Sequence, residues 1–283
     1  ACPHPFDFSH CTFEPTAMVK RSAQKAALDE TEACAKQQVK ATDAAIARLP
    51  ESLPLAHEHP DMAGETLHIV GVDEAGRGPW AGPVVAAAVL ANPLLGRRPL
   101  VAGVTDSKKL NEAQRELVYK ELTQCPHICW AVSVVGVKSI DRGNILEAAH
   151  QAMTGAVRNL RRRLPSSLQT SIVVDGNLIP KKLQNQKQRT RALVGGDRLC
   201  FEIAAASILA KVTRDRLMMK MDKQFPLYGF AAHKGYGTAA HQAALVKHGP
   251  CVEHRSSFEP IKGFLATGRW RSRAARAKLM RPK

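Results

Sequence analysis

Aromatic side chains are scarce in this 283-residue chain, with Trp, Tyr and Phe making up 5%. Acids are scarce as well, 25 against 41 Lys and Arg, for a formal net charge of +16. Long hydrophobic runs are missing. The best apolar candidate, Pro83 to Leu95, is interrupted by Asn92 and Pro93, short of the roughly 18 residues that a membrane-spanning helix needs, so no membrane partner is expected. Seven cysteines, odd in number and widely spaced, argue against a disulfide scaffold and for ordinary reduced thiols. Cys125 and Cys129 flank His127, but no second pair follows at zinc-finger spacing, and the Cys2, His4, His10, Cys11 group lies outside any hydrophobic pattern. Hydrophobic residues nonetheless reach 45%, which is enough for a full core in one large or two small domains.

The positive charge is unevenly spread. Residues 1–66 carry net −4, residues 67–262 net +13 and residues 263–283 net +7. A domain so charged attracts polyanions, nucleic acid above all, through phosphate neutralisation and counterion release. A solvated basic surface without a partner has the same composition, so charge alone leaves both readings open.

Residues 1–66 read as an extension that is flexible or partly helical. Ala23 to Leu49 is rich in Ala, Gln, Lys and Glu, and Pro50, Pro54 and Pro60 punctuate a linker. From Leu67 the pattern sharpens. Leu67 to Val72, Val84 to Leu90, Trp130 to Val137 and Ser171 to Val174 read as strands, and Asn111 to Leu122, Ile145 to Leu164 and Ile203 to Met221 as helices. This predicts an α/β domain with mixed strands and flanking helices over 67–262.

In a chain this basic, acids beside apolar runs call for a physical reason. Asp73 and Glu74 end the first predicted strand, Asp175 ends a later one, and Asp197 follows Gly195 and Gly196 ahead of a helix. Strand ends in α/β sheets are where sites form. Carboxylates converging there would repel unless cations sat among them, and oxygen ligands suit Mg²⁺ or Mn²⁺. Two such ions about 3.5 to 4 Å apart activate water and stabilise the leaving oxygen of a phosphodiester. An Asp beside Gly serves as readily as a cap or turn residue, so Asp197 alone supports either reading.

Gly76, Arg77 and Gly78 allow close backbone approach to a ligand and add a guanidinium. Ser107 and Lys108, in Asp106-Ser107-Lys108-Lys109, suit phosphate contact and suit equally the cap of the next helix.

Together these residues resemble a known family. Val72-Asp73-Glu74-Ala75-Gly76-Arg77-Gly78, Ala81-Gly82-Pro83-Val84-Val85, Asp106-Ser107-Lys108-Lys109-Leu110, Val174-Asp175-Gly176-Asn177, the Ala204 to Val212 helix with Arg214-Asp215, and His233-Lys234-Gly235-Tyr236-Gly237-Thr238 with His241 are similar, in order and spacing, to ribonuclease HII, in its bacterial single-subunit branch. The resemblance covers about residues 67 to 262 and implies a ribonuclease H-like fold, a mixed central sheet flanked by helices plus a C-terminal helical part. It implies hydrolysis of the RNA strand of RNA-DNA hybrids and cutting 5′ to single ribonucleotides in duplex DNA, with two Mn²⁺ or Mg²⁺ ions. Asp73, Glu74, Asp175 and Asp197 then match the metal-binding catalytic carboxylates. Gly76, Arg77 and Gly78 match the reader of the ribose 2′-hydroxyl, Ser107 and Lys108 the phosphate loop, and Tyr236 the tyrosine stacking at the RNA-DNA junction.

Asp215, with Lys211 four residues earlier, is read as structural; His233 and His241 are read as substrate contacts or structural histidines. The loop before Asp197 is a few residues longer than usual in the family. The basic tail, with Trp270 among Arg269, Arg271, Arg273 and Arg276, has no counterpart in the resemblance. A monomer is expected, in the cytoplasm of a bacterium or in the nucleus or a DNA-containing organelle such as the mitochondrion of a eukaryote.

Overall fold

The computed structural model describes residue 46 and residues 48–58, 60, 68–92, 101–184 and 189–270. At its centre runs β1, Ile69–Ala75. Because side chains alternate along a strand, Val70 and Val72 join the core on one face, and Gly71 and Asp73 point to the other. β2, Val84–Ala91, pairs antiparallel with β1, and β3, Ile128–Val135, pairs antiparallel with β2. On the other side β4, Ser171–Asp175, runs parallel to β1, and β5, Thr190–Leu193, parallel to β4. Among the described residues these strands make one mixed sheet in the order β3-β2-β1-β4-β5. The parallel pairing of β1 with β4 brings Asp73 and Asp175 to the same end.

The helices are α1, Glu112–Gln124; α2, Val137–Arg142; α3, Ile145–Arg161; α4, Lys181–Gln184; α5, Phe201–Gln224; α6, Phe230–His233; α7, Ala239–His248; and α8, Ile261–Thr267. Side-chain caps start several of them: Asn111 accepts from the N–H of Gln114, Asn144 from that of Glu147 and Thr238 from that of His241. α3 covers one face of the sheet through Ala148, Ala152, Met153 and Ala156. α5 covers the other, its Ala204 to Ala206 packed with Val85, Ala87 and Val89 of β2. Small residues on both sides let this helix approach closely. A Cβ on Gly71 would lie 2.4 Å from the carbonyl carbon of Glu202, so that approach requires glycine.

The mixed sheet, its flanking helices and a C-terminal helical part are as expected. The element bounds shift where short-range chemistry intervenes. The strand expected over Trp130 to Val137 lies at Ile128–Val135, because Gly136 breaks it and caps α2. β5 and the helices α2, α4 and α6 to α8 were not assigned from the sequence, most of them being too short to show a period. α6 to α8 gather with the end of α5 around Tyr228, Phe230, Leu245, Ile261 and Met218.

Residues 48–58, expected in the leading extension, pack on the domain. Leu49, Leu53 and Leu55 join the α5 side of the core and Ala56 is fully buried. The N–H of Leu53 donates to Val104 at 2.9 Å and that of Phe201 to Pro54 at 2.8 Å. The prolines leave this stretch no regular structure beyond the 3-10 turn Ala56–Glu58, while its leucines still offer apolar surface to bury. Similarly, Trp270, expected in the basic tail, packs against Trp80 and Phe264. The Cys2, His4, His10, Cys11 group, nearly all of the Ala23 to Leu49 helix, and Arg271, Arg273 and Arg276 lie outside the described residues. Among the described residues Cys125, Cys129, Cys200 and Cys251 form no disulfide, and no helix is long and apolar enough to cross a membrane.

Candidate active site

Adjacent Asp73 and Glu74 leave β1 on opposite faces. Asp73, buried on the α5 side, accepts hydrogen bonds from the Ser207 hydroxyl and, at 2.7 Å, from the N–H of Glu74. Burial pushes its carboxyl well above the usual carboxylate range, and the charges of Glu74 and Asp175 push the same way. Glu74 lines a shallow cleft on the α3 side with His150, Met153, Asp175 and Asn177. There burial lowers the His150 pKa, against the pull of the Glu74 charge.

Asp175 comes from the end of β4. Its pKa is raised, first by burial and then by the Asp197 charge, while backbone N–H groups of Asp197 and Gly196 donate to it. Those amides are available because Gly195, at φ 70°, turns the chain into the short 3-10 turn Gly196–Arg198. Asp197 is thereby buried beside Asp175, so the longer loop before it does not displace it. Lys108 reaches Asp197 Oδ2 at 3.0 Å and Asp106 Oδ1 at 3.8 Å. On the other flank Arg77 Nη1 lies 3.2 Å from Glu74 Oε1. Ser107 has a different place. It is buried, with its hydroxyl 2.9 Å from that of Ser207, and so stands behind Asp73 rather than on the surface.

The four acids form one electrostatic group, and their chemistry fits a hard cation. All donors are carboxylate oxygens, the charges around Asp73 and Asp175 raise the proton affinity of those two, and Asp175 Oδ1 is buried with no hydrogen-bond partner. Among the described residues no three His, Cys, Asp or Glu side chains are drawn together as a finished metal cage. Lys108 and Arg77 supply the countercharge instead.

Beside the acids lies the glycine loop, shaped by two buried arginines. Arg255 is fully buried and donates to the carbonyls of Gly76 at 2.6 Å, Arg77 at 2.9 Å and Gly82 at 2.8 Å. Arg214 donates to those of Pro83, Lys234 and Ala81 at 3.0 to 3.1 Å. In a trans peptide the N–H points opposite to the C=O. With the Gly76 and Arg77 carbonyls turned inward, the N–H groups of Arg77 and Gly78 face outward as donors. Gly76 sits at φ 100°, and a Cβ there would lie 2.2 Å from Arg214 Nε. Tyr236, 45% exposed, borders the loop, since a Cβ on Gly78 would come 3.7 Å from its ring.

A family model described as ribonuclease HII matches residues 70–260. The chain belongs to the ribonuclease HII family. Ribonuclease HII of Burkholderia mallei (strain SAVP1) is 48% identical over 202 residues, covering 71% of this chain and 87% of that protein. The solved ribonuclease H2 of Pyrococcus horikoshii OT3 is 26% identical with a TM-score of 0.56, covering 69% of this chain and 96% of its own. Bst-RNase HIII, solved in complex with Mn²⁺, has the same TM-score at 20% identity, over 78% of this chain and 72% of its own, a likeness of fold. Membership makes the chain a nuclease that hydrolyses phosphodiester bonds, and it accounts for the basic surface.

In ribonuclease HII terms the structure brings together Asp73, Glu74, Asp175, Asp197 and Lys108, and beside them Gly76, Arg77, Gly78 and Tyr236. Asp215 is bonded to Lys211 at 2.8 Å as expected of a structural pair. His241 is fully buried, which settles it as structural. Sequence reasoning missed Arg255, the work of Arg214, and His150. A buried arginine has no local sequence signature, and His150 stands in an otherwise apolar helical pattern.

Proposed function

We propose that the chain cuts the RNA strand of RNA-DNA hybrids and nicks duplex DNA 5′ to single embedded ribonucleotides. The observation that carries this is the juxtaposition of four mutually repelling carboxylates with a loop whose outward amides border an exposed tyrosine. Asp73, Glu74, Asp175 and Asp197 would hold divalent cations, on which the family's enzymes depend; Mg²⁺ or Mn²⁺ in a pair is our reading. When bound, such ions supply Lewis-acid activation of water and neutralise the departing oxygen.

The remaining roles belong to the chain. The N–H groups of Arg77 and Gly78 would donate to the ribose 2′-hydroxyl, the group that separates RNA from DNA, so a deoxyribose leaves these donors unpaired. Tyr236 would stack on the sugar-base edge of the following deoxynucleotide. Lys108, whose side chain is 80% exposed, would donate to a backbone phosphate. Ser107 would act indirectly, by fixing Ser207 and through it Asp73. Attack of water forms the new P–O bond as the P–O3′ bond breaks, leaving 3′-hydroxyl and 5′-phosphate ends.

The test is incubation of a duplex carrying one ribonucleotide with Mg²⁺ or Mn²⁺ and the protein. A single nick 5′ to that residue is expected. An uncut duplex with a folded protein refutes the reading.

A further inference from the structure

Tyr236 sits in a strained turn, with Lys234 at φ 51° and Gly235 at φ 82°, yet its backbone is gripped on both sides. Its N–H donates to the carbonyl of His233 at 2.9 Å. Its own carbonyl lies 2.8 Å from the N–H of Thr238 and 2.9 Å from His241 Nδ1. Behind His241 a second imidazole follows, with His241 Nε2 and His254 Nε2 2.9 Å apart. His254 Nδ1 in turn lies 3.0 Å from the backbone nitrogen of Cys251.

This chain of contacts has one consistent proton arrangement for neutral rings. A carbonyl only accepts, so His241 Nδ1 carries the proton and its Nε2 is an acceptor. His254 must then donate from Nε2, which makes its Nδ1 an acceptor, and the N–H of Cys251 meets it there. The order is therefore Cys251 N–H to His254, His254 Nε2–H to His241, and His241 Nδ1–H to the Tyr236 carbonyl. The alternative contact of His254 Nδ1 with the Cys251 carbonyl, at 3.3 Å, would require the opposite tautomer.

We infer that His241 and His254 are positioning residues whose fixed tautomers aim Tyr236 and so set the preference for a ribonucleotide followed by DNA. The inference rests on the proposed role of Tyr236. Several features keep the pair neutral and fixed. Burial lowers the pKa of His241 to about 3 and that of His254 to about 4. His233 stacks on His241 with ring centroids 4.3 Å apart, and its Nδ1 accepts the N–H of Gly235 at 3.2 Å. Tyr228 and Phe230 press edge-on against His254 and His241.

Two measurements test it. The first needs no variant. Side-chain ¹⁵N spectra of the full chain should show His241 protonated at Nδ1 and His254 at Nε2; the same tautomer in both rings, or a charged ring near pH 6, overturns the relay. The second compares kcat and KM on a single-ribonucleotide duplex and on a long RNA-DNA hybrid. His241→Leu should lower kcat/KM on the former about tenfold, as for one lost buried hydrogen bond, with a smaller fall on the hybrid. His241→Asn, whose amide can still reach the Tyr236 carbonyl, should recover most of the loss.

Combining His241→Leu with Tyr236→Ala should add little to Tyr236→Ala alone, because one acts through the other. Equal losses on both substrates, or additive effects, would overturn the positioning role. If Tyr236→Ala itself leaves the substrate preference unchanged, the reading of Tyr236 fails instead.

Discussion

The guanidinium of Arg255 and the carbonyl of Gly76 are 179 residues apart in the chain and 2.6 Å apart in space. Through this contact and its bonds to Arg77 and Gly82, one buried side chain decides which way the glycine loop presents its amides. Arg255 is held by carbonyl dipoles, and burial, with the Arg214 charge, pulls its pKa down to about 9 against the pull of the Asp141 charge. The arrangement is specific to the planar fork of arginine.

Arg255→Lys keeps the charge and loses the fork. A lysine cannot reach all of these carbonyls, so the variant should lose about 2 kcal/mol of stability or more and kcat/KM on ribonucleotide-containing duplexes by at least tenfold. Thermal melts and steady-state kinetics measure both. Wild-type activity in a folded Arg255→Lys would show that the loop needs no such clamp.

Asp73→Asn removes one charge from a buried, crowded carboxylate while keeping its shape. Cleavage should vanish, and affinity for the hybrid in a gel-shift assay should stay within a few-fold of wild type. Unchanged cleavage would mean that the site is misplaced.

Binding of a cation to the native site should stabilise the fold by mass action. Titrating Mg²⁺ or Mn²⁺ into the protein should raise Tm progressively, and Asp175→Asn, which neutralises the carboxylate with the unpartnered oxygen, should flatten that response. An equal rise in both proteins would place the cation elsewhere.

Glu202 lies under the docked segment 48–58, with its Oε2 accepting the N–H of Ala56 at 2.8 Å. Burial raises its pKa from 4.5 to about 7. A raised folded-state pKa means that below about pH 4.5 both states are protonated and the residue carries no penalty. From there up to about pH 7 the unfolded chain ionises first and stability falls, by about 3 kcal/mol in all. Glu202→Gln lacks this loss, so its stability relative to wild type should rise from pH 5 to pH 8 in urea denaturation. A constant difference across that range would exclude the buried carboxyl as its source.

Chemistry that depends on local order was legible in the chain. Valine runs ending in acids marked the strands that carry Asp73, Glu74 and Asp175, and alanine at helical spacing marked the helix that crosses them, because burial imposes a period on residues near in sequence. The Gly-Arg-Gly segment was legible for the same reason, as was the pairing of Lys211 with Asp215 one helical turn apart. Where long-range packing took over, the reading stopped. Residues 48–58 looked like a linker because their prolines break periodicity, and only the surface of α5 and Val104 gives their leucines somewhere to go. Ser107 looked like a surface contact until Ser207, a hundred residues on, was brought against it.

The sequence by itself therefore determined four strands of the sheet and the two long helices that cover it, the family, the acids at the strand ends and the basic composition that suits a polyanion. Tertiary structure alone decided that Asp73 and Glu74 face opposite sides of one sheet, that Arg255 turns the carbonyls of the glycine loop inward, and that two neutral imidazoles stand behind Tyr236. The physical reason is common to all three. Each depends on partners whose hydrogen bonds exist only once distant segments have been packed together and water has been removed.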